Sequence, residues 1–362
     1  MAAQTSTPQA SRMRWLDAIR GIAATVVIVQ HSLELVWPAF ERFSGTVFSF
    51  GIFGVTVFLI VSGYVIPASL ERHHSLRDFW IARFFRLYPM YWVSLAAAVF
   101  LSVAGVSGVH YSSKQILLNV TMLQDFLRTP DVLGIYWTLA IEMSLYALYS
   151  VLSAMRKLDR TLLTAWAGLC ILALGGVLLP LTLHRRFAPG VELLYVSAFF
   201  GAVLYKLDKA KISADAVKLL FVVGAAVTVL LSMVSFSFVP QEPGKAVTPL
   251  SVVLTTFAAY ASFFAVRAFK NSDAVPDWIA WIGRISYSTY LLHPLALLVF
   301  DGRVPAWAFP VLVLAAAIGV SGLTFRFIET PMNDLGKRLQ QNKGKTTASA
   351  DGQEAVRPER AA

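Results

Sequence analysis

Long runs of apolar residues, separated by short polar segments, cover most of the chain. A helix needs about 20 mainly apolar residues to cross a hydrocarbon core of about 30 Å, because it rises about 1.5 Å per residue. Ten stretches reach this length: 16–36, 50–70, 88–109, 135–155, 161–183, 188–205, 219–240, 246–266, 279–300 and 305–328. The pattern therefore predicts an all-α integral membrane protein, a bundle of about ten transmembrane helices.

The composition agrees with this class. Of the 362 residues, 57% are apolar and only 14% are charged, whereas soluble domains carry about 25% charged residues. Mean hydropathy is +0.63. These values exclude an ordinary soluble enzyme, a disordered chain and a soluble nucleic-acid binder.

Basic residues decide the predicted orientation. The sequence has 31 Lys and Arg against 21 Asp and Glu, a net charge of +10. Most of the basic residues fall in the connecting segments that share a side with the N-terminus, and cytoplasmic loops carry such an excess. Both termini are therefore predicted to be cytoplasmic, and the charge requires no nucleic-acid partner. We expect a disordered cytoplasmic N-terminus at 1–11, a polytopic membrane domain at 12–335 and a disordered cytoplasmic tail at 336–362.

The residue types that bind metals or form disulfides are sparse. Cys170 is the one cysteine, so an intrachain disulfide and a cysteine-based zinc site are excluded. No third ligand stands at a suitable spacing from the adjacent histidines at 73–74, so no metal is expected. The sequence also lacks a nucleophile elbow, a P-loop and a His-Glu-x-x-His motif.

Ionisable residues in the first predicted helix are candidate functional groups, because a charge at membrane depth is costly and normally faces the protein interior. Arg20 and His31 are eleven residues apart, which places them on one helix face about 16 Å apart. Asp17 can pair with Arg20 across one turn, and Glu34 follows His31 by three residues. A histidine beside a carboxylate, here Glu34 or Glu142, can act as a general base near neutral pH. The alternatives are a core histidine bonded to a backbone carbonyl and a structural Asp17–Arg20 ion pair.

Glu142 is the main candidate in the fourth predicted helix. It lies about seven residues into that helix, beside Trp137 and Thr138, which are candidates for substrate binding. Its charge needs a partner at that depth, and it is predicted to orient the imidazole or to bind the acceptor hydroxyl. The alternative is a structural pair with a cation such as Arg284.

The ninth predicted helix carries a polar stripe formed by Tyr287, Tyr290 and His293. Such aromatic stripes more often pack than bind, so His293 is the stronger site candidate and Tyr290 a candidate for substrate binding. Pro294 is expected to kink or end the helix there.

Arg83 and Arg86 are three residues apart and share a helix face in a predicted cytoplasmic segment. Two guanidinium groups can bind phosphate oxygens in a bidentate manner. Membrane anchors in cytoplasmic loops have the same pattern, so the spacing alone leaves both interpretations open. Ser62, before Gly63, is predicted to permit close helix packing, and Glu329 is predicted to lie at the structural end of the last helix.

These residues belong to six short motifs that occur in a fixed order. The motifs are Arg20-x10-His31, the apolar run from Gly54 to Ser62-Gly63-Tyr64, Arg83-x-x-Arg86-x-x-Pro89, Trp137-Thr138-Leu139-x-x-Glu142, Ser286-Tyr287-x-x-Tyr290-Leu291-x-His293 and Glu329-x-Pro331. Each is weak alone, but the ordered set over residues 12–335 resembles the acyltransferase-3 family of integral membrane O-acyltransferases.

The resemblance implies transfer of an acyl group, usually acetyl from acetyl-CoA, to a hydroxyl of a sugar or another glycosylated acceptor. It implies that His31 is catalytic, that Arg20 is also required, and that Arg83 and Arg86 bind the donor. Two mechanisms fit: His31 acts as a general base for direct transfer, or it carries the acyl group as a covalent intermediate.

The expected acceptor is a cell-surface polysaccharide or a lipid-linked glycan at a bacterial inner membrane. Some family members carry an esterase-like extension, which this sequence lacks, so an envelope partner protein is a further expectation. Alternatives are acylation of a secreted metabolite such as a macrolide, and a proton-coupled secondary transporter. The lack of a visible internal repeat counts against the transporter.

Overall fold

A computed structural model of the protein describes residues 13–73, 75–183, 190–237, 247–272 and 274–341. These residues form helices and connecting turns, with no strand in the described ranges. The helices are α1 (Arg14–Val36), α2 (Pro38–Thr46), α3 (Phe50–Arg72), α4 (Leu76–Val103), α5 (Ser113–Val120), α6 (Trp137–Ala154), α7 (Thr161–Ala173), α8 (Leu179–Leu183), α9 (Gly190–Asp208), α10 (Ala214–Ser237), α11 (Pro249–Arg267), α12 (Asp277–Phe300) and α13 (Phe309–Thr324). Short π-helical turns at Leu174–Leu178 and Phe325–Glu329 follow α7 and α13.

The predicted class, an all-α membrane protein, is confirmed. Within the described residues, eight helices are long and apolar enough to cross a membrane. The other two predicted spans are α6 and α12, which are long enough to cross but carry more polar residues. These two helices hold most of the candidate site residues outside α1.

The helix boundaries agree with the predicted spans to within a few residues, except at α4 and at the end of the last helix. The predicted span at 88–109 is a helix that begins at Leu76 and ends at Val103. The helix begins early because the hydroxyl of Ser75 accepts a hydrogen bond from the backbone N–H of Asp78, which caps the first turn. Pro89 lies inside the helix and does not end it.

The last helix is longer than the predicted span at 305–328. The helix that begins with α13 continues through the second π-helical turn to residue 341. It therefore extends into the segment predicted as a tail at 336–362. Residues 342–362 and the predicted disordered segment at 1–11 lie outside the described residues.

Two pairs of helices pack unusually closely, and glycines at the crossings allow it. In α3 and α9, a Cβ on Gly63 would lie 1.7 Å from the carbonyl oxygen of Ala198, and one on Gly201 would lie 2.0 Å from that of Ile60. The second pair is α1 and α12, where a Cβ on Gly283 would lie 1.7 Å from the carbonyl oxygen of Asp17. Small residues at such crossings let the backbones of membrane helices come into contact.

Candidate active site

The parallel packing of α1 and α12 sets the position of the central histidine pair. Gly21 of α1 meets Gly283 of α12 at the crossing. Each helix rises at the same rate per residue, so the residues ten positions further along lie at the same level. Those residues are His31 and His293, and their rings are in contact.

The two imidazole rings form a stacked, hydrogen-bonded pair. Nδ1 of His31 lies 2.9 Å from Nε2 of His293, and the ring centroids are 5.2 Å apart with an interplanar angle of 22°. His293 is fully buried, whereas His31 is half-buried. The hydrogen-bond partner of His31 is therefore another imidazole rather than Glu34 or Glu142.

The proton positions of the pair follow from Pro294. A proline has no N–H, so the carbonyl oxygen four residues earlier, on Tyr290, lacks its usual helical donor. Nδ1 of His293 lies 2.7 Å from that oxygen and donates its proton to it. Neutral His293 then has a lone pair on Nε2, so Nδ1 of His31 must be the donor between the rings.

This assignment leaves the lone pair of His31 on Nε2. Among the described residues, no protein group is hydrogen-bonded to that atom. A neutral imidazole with a free Nε2 and its proton fixed on Nδ1 is arranged to accept a proton from a hydroxyl. The helix does not end at Pro294, because α12 continues to Phe300. The proline leaves the carbonyl oxygen of Tyr290 free for Nδ1 of His293.

A second group of polar residues surrounds Arg20, toward the beginning of α1. The guanidinium of Arg20 interacts electrostatically with Asp17, Glu142 and Tyr146, and it lies close enough to Arg86 for mutual repulsion. Like charges are brought together in a protein interior where carboxylates or a bound anion compensate them. The predicted residues Asp17, Arg20, Glu142 and Arg86 are thus found in one place.

Glu142, from α6, and Glu329, from the π-helical turn that follows α13, complete this group. Glu142 accepts a hydrogen bond from the hydroxyl of Tyr146, and the hydroxyl of Ser62 lies 3.5 Å from its Oε1. Glu329 is buried, accepts a hydrogen bond from Ser288, and interacts electrostatically with both Arg86 and Arg20. With Asp17, three carboxylates therefore surround the two guanidinium groups of Arg20 and Arg86.

A narrow cavity of about 50 Å³ connects the arginine group with the helix that carries His293. Its lining includes Arg20, Ser62, Thr138, Glu142 and Tyr290. The hydroxyl of Tyr290 lies 3.1 Å from that of Thr138, which joins α12 to α6. Five of the predicted site residues thus share one cavity wall.

The remaining predicted residues lie nearby in packing or connecting positions. Arg83 is buried, donates to the hydroxyl of Ser69 at 2.6 Å, and lies over the rings of Phe79 and Tyr146. Its neighbour in sequence, Arg86, faces the arginine group instead.

The other two predicted residues, Glu34 and Trp137, do not line the narrow cavity. Glu34 accepts a hydrogen bond from Ser44 in α2. The side chain of Trp137 is partly buried at the start of α6, and its backbone N–H donates to the carboxylate of Asp131.

Sequence reasoning assigned no partner role to Tyr146 or Pro294. Tyr146 follows Glu142 by one helical turn, so that spacing was an available signal. For Pro294 the available signal was its neighbour His293. Pro294 has no backbone N–H to donate, and the imidazole of His293 can donate a hydrogen bond in its place. No group of three or more potential metal ligands occurs in the part of the chain that the structure describes.

These features define an all-α, multi-pass integral membrane protein with an imidazole pair in the bundle and an arginine-carboxylate group beside it. A sequence profile described as an acyltransferase domain matches residues 13–327. The chain therefore belongs to the acyltransferase-3 family, which confirms the resemblance of its motifs.

Curated relatives agree with this family. The chain is 26% identical to the peptidoglycan O-acetyltransferase OatA of Listeria monocytogenes over 89% of its length. It is 23% identical to the O-acetyltransferase OatA of Staphylococcus aureus strain NCTC 8325, also over 89% of its length. It covers 56% and 57% of those two proteins, respectively, so it spans little more than half of their length. No solved structure matches the chain.

Proposed function

We propose that the protein is a membrane O-acyltransferase that moves an acetyl group from acetyl-CoA to a hydroxyl of a cell-surface polysaccharide or lipid-linked glycan. The observation that carries the proposal is the histidine pair, in which Nε2 of His31 is free to accept a proton. Family membership supports transfer of an acyl group. The relatives named as O-acetyltransferases support acetyl as that group.

The chemistry assigned to His31 is general base catalysis. Nε2 of His31 takes the proton of the acceptor hydroxyl as its oxygen attacks the thioester carbonyl. The C–S bond of the tetrahedral intermediate then breaks, and the CoA thiolate leaves with the proton that His31 accepted. His293 accepts a hydrogen bond from Nδ1–H of His31 throughout, so it stabilises the imidazolium and holds the ring in place.

The donor is assigned to the arginine group. Guanidinium groups bind phosphate oxygens through paired, charge-assisted hydrogen bonds, and acyl-CoA carries several phosphates. Arg86 and Arg20 are assigned the anionic part of the donor. Arg83 is assigned a supporting position, since its guanidinium lies over the ring of Tyr146, whose hydroxyl donates to Glu142.

The proposed arrangement gives donor and acceptor opposite entrances. The arginine group lies near the beginning of α1, which the basic residues predict to be cytoplasmic, where acyl-CoA is made. His31 lies about 16 Å further along that helix, toward the outer side where an envelope glycan is presented. We place the protein in a bacterial inner membrane, and an envelope partner protein remains part of the proposal.

The test is the ester content of the envelope. Envelope glycans are compared from cells that carry the wild-type gene, no gene, or the gene with His31→Ala, and acetate released by mild alkali is measured. The proposal expects acetate from the wild-type glycan and loss in both other strains, with equal amounts of the two proteins in the membrane. Equal acetate from the wild-type and His31→Ala strains would contradict it.

A further inference from the structure

A second, larger cavity lies beside the histidine pair on the side away from the arginine group. It has a volume of about 400 Å³, within the range of about 300–1,000 Å³ that is usual for small-molecule sites. Its wall includes Leu35, four residues after His31, and Pro294, next to His293. Four residues are about one helical turn, or 6 Å, so the cavity begins close to the proposed catalytic atoms.

Most of the remaining wall is the segment between α4 and α6, with the end of α12 and Asp301 completing it. Hydrogen bonds hold this segment in place. The side-chain amide of Asn119 donates to the carbonyl oxygens of Gln115 and Pro130, and its Oδ1 accepts from the N–H of Val132. The hydroxyl of Tyr91, in α4, donates to the backbone carbonyl of Asn119 at 2.6 Å. The wall is therefore formed before any ligand arrives.

Polar groups on this wall suit hydroxyl groups rather than phosphates. Asp131 and Asp301 supply carboxylates, Gln115 an amide and Tyr111 an aromatic ring. Carboxylates accept hydrogen bonds from hydroxyls, and an aromatic face packs against the C–H side of a saturated ring. His110 is the other ionisable residue of the wall. The two carboxylates disfavour an anionic ligand, whereas the guanidinium groups of Arg20 and Arg86 attract one.

Asp131 is the best placed of these polar groups. Its carboxylate accepts hydrogen bonds from Nε2 of Gln124 at 2.6 Å and from the backbone N–H of Trp137. Partial burial raises its pKa to about 6, with a smaller contribution from the negative charge of Asp125. The carboxylate of Asp131 is therefore held in one orientation in a partly buried environment, where a hydrogen bond is stronger than in water.

We infer that this cavity is the acceptor site and that it takes an uncharged sugar ring, with Asp131 as a principal hydrogen-bond acceptor. The inference rests on the proposed function, because it is the nearness to His31 that makes the ligand an acceptor. The acceptor hydroxyl then meets His31 from one side while the acyl donor arrives from the other.

The test measures binding without the donor, so it is independent of catalysis. Wild-type protein in lipid nanodiscs is titrated with methyl glycosides of glucose and of N-acetylglucosamine, and the Kd is obtained by saturation-transfer NMR. Nanodiscs are used because maltoside and glucoside detergents are themselves sugars. We expect Asp131→Asn to weaken binding about tenfold or more, whereas Asp125→Asn, in the same segment but outside the cavity wall, serves as the matched control.

A second variant tests the cavity by filling it. Gly134 lines the cavity, and a Cβ there would have no heavy atom within 4 Å, so Gly134→Phe adds bulk without a clash at the backbone. The control is Gly319→Phe, because Gly319 is equally unobstructed and exposed on α13. We expect Gly134→Phe to abolish glycoside binding and Gly319→Phe to retain it.

Three outcomes would overturn the inference: no glycoside binding by the wild type, unchanged binding by both cavity variants, or equal losses in the controls. Failure of the proposed function has a different signature. In that case the glycoside binds at this cavity, but no acetyl group is transferred to it.

Discussion

Replacement of Pro294 by alanine tests the hydrogen-bond chain that orients the histidine pair. The change restores a backbone N–H, which can donate to the carbonyl oxygen of Tyr290 as in an ordinary helix. Nδ1 of His293 lies 2.7 Å from that oxygen, so the new N–H would compete for the same acceptor and weaken this hydrogen bond. A substitution that makes the helix more regular is therefore expected to make the enzyme slower.

The size of the expected decrease in kcat follows from the free energy of the hydrogen bond between Nδ1 of His293 and the carbonyl oxygen of Tyr290. A net contribution of about 1 kcal/mol is typical of one intramolecular hydrogen bond, and about 1.4 kcal/mol corresponds to a tenfold change in an equilibrium or a rate. Removing the bias should thus shift the equilibrium between the two proton arrangements about fivefold against the one with a free Nε2 on His31, and kcat should fall by up to that factor. KM for the donor should change little, because no donor contact is removed.

The assay is steady-state acetyl transfer in nanodiscs, with thermal unfolding of the same samples. Pro67→Ala in α3 is the matched control, since Pro67 is also a buried helix-interior proline, and it should leave kcat within about twofold. The melting temperature of Pro294→Ala should be equal to that of the wild type or higher. An unchanged kcat for Pro294→Ala would refute the assignment of the proton positions to the Tyr290 carbonyl.

Three other substitutions test separate parts of the structure. Gly283→Ala places a methyl group against the carbonyl oxygen of Asp17, so it should push α12 away from α1. We expect the free energy of unfolding to fall by about 3 kcal/mol and kcat to decrease. A normal melting temperature with normal turnover would contradict the close crossing. Arg86→Ala should raise KM for acetyl-CoA about tenfold or more, whereas Arg77→Ala, at an exposed position, should not; equal effects would remove Arg86 from donor binding. The pKa of Asp131 is raised from 3.8 to about 6, so folding favours the protonated carboxyl. The folding stability that the protonated carboxyl contributes is present at low pH and is lost as the pH rises from about 4 to above 6. Asp131→Asn should therefore be more stable than the wild type by about 1 kcal/mol at pH 7.5, after allowance for its solvent exposure, and equally stable at pH 4, as measured by thermal unfolding without glycoside.

The sequence predicted the helices well because the membrane imposes a simple length and polarity on each one. It placed the start of α4 too late, since the part before residue 88 is helical but carries arginines that a search for apolar runs rejects. It also gave no sign of α2, a short helix after the first span.

At the site, residue types and spacing along one helix were informative, but contacts between helices were not. The separation of Arg20 from His31 follows from α1 alone. The pairing of His31 with His293 depends on the register of the parallel helices α1 and α12. Contact between Gly21 and Gly283 sets this register, and these two glycines are 262 residues apart in the sequence. A carboxylate partner for His31 was the simpler expectation from α1 alone, because Glu34 lies one turn away.

The most direct test of catalysis by His31 uses purified protein in nanodiscs. Acetyl-CoA labelled in its acetyl group is supplied with an envelope glycan extract, and covalently bound label in the glycan is counted for the wild type and for His31→Ala, with folding checked by thermal unfolding. We expect label to enter the glycan with the wild type and to fall to background with His31→Ala. Equal incorporation by both proteins would contradict the assignment of His31 as the catalytic base.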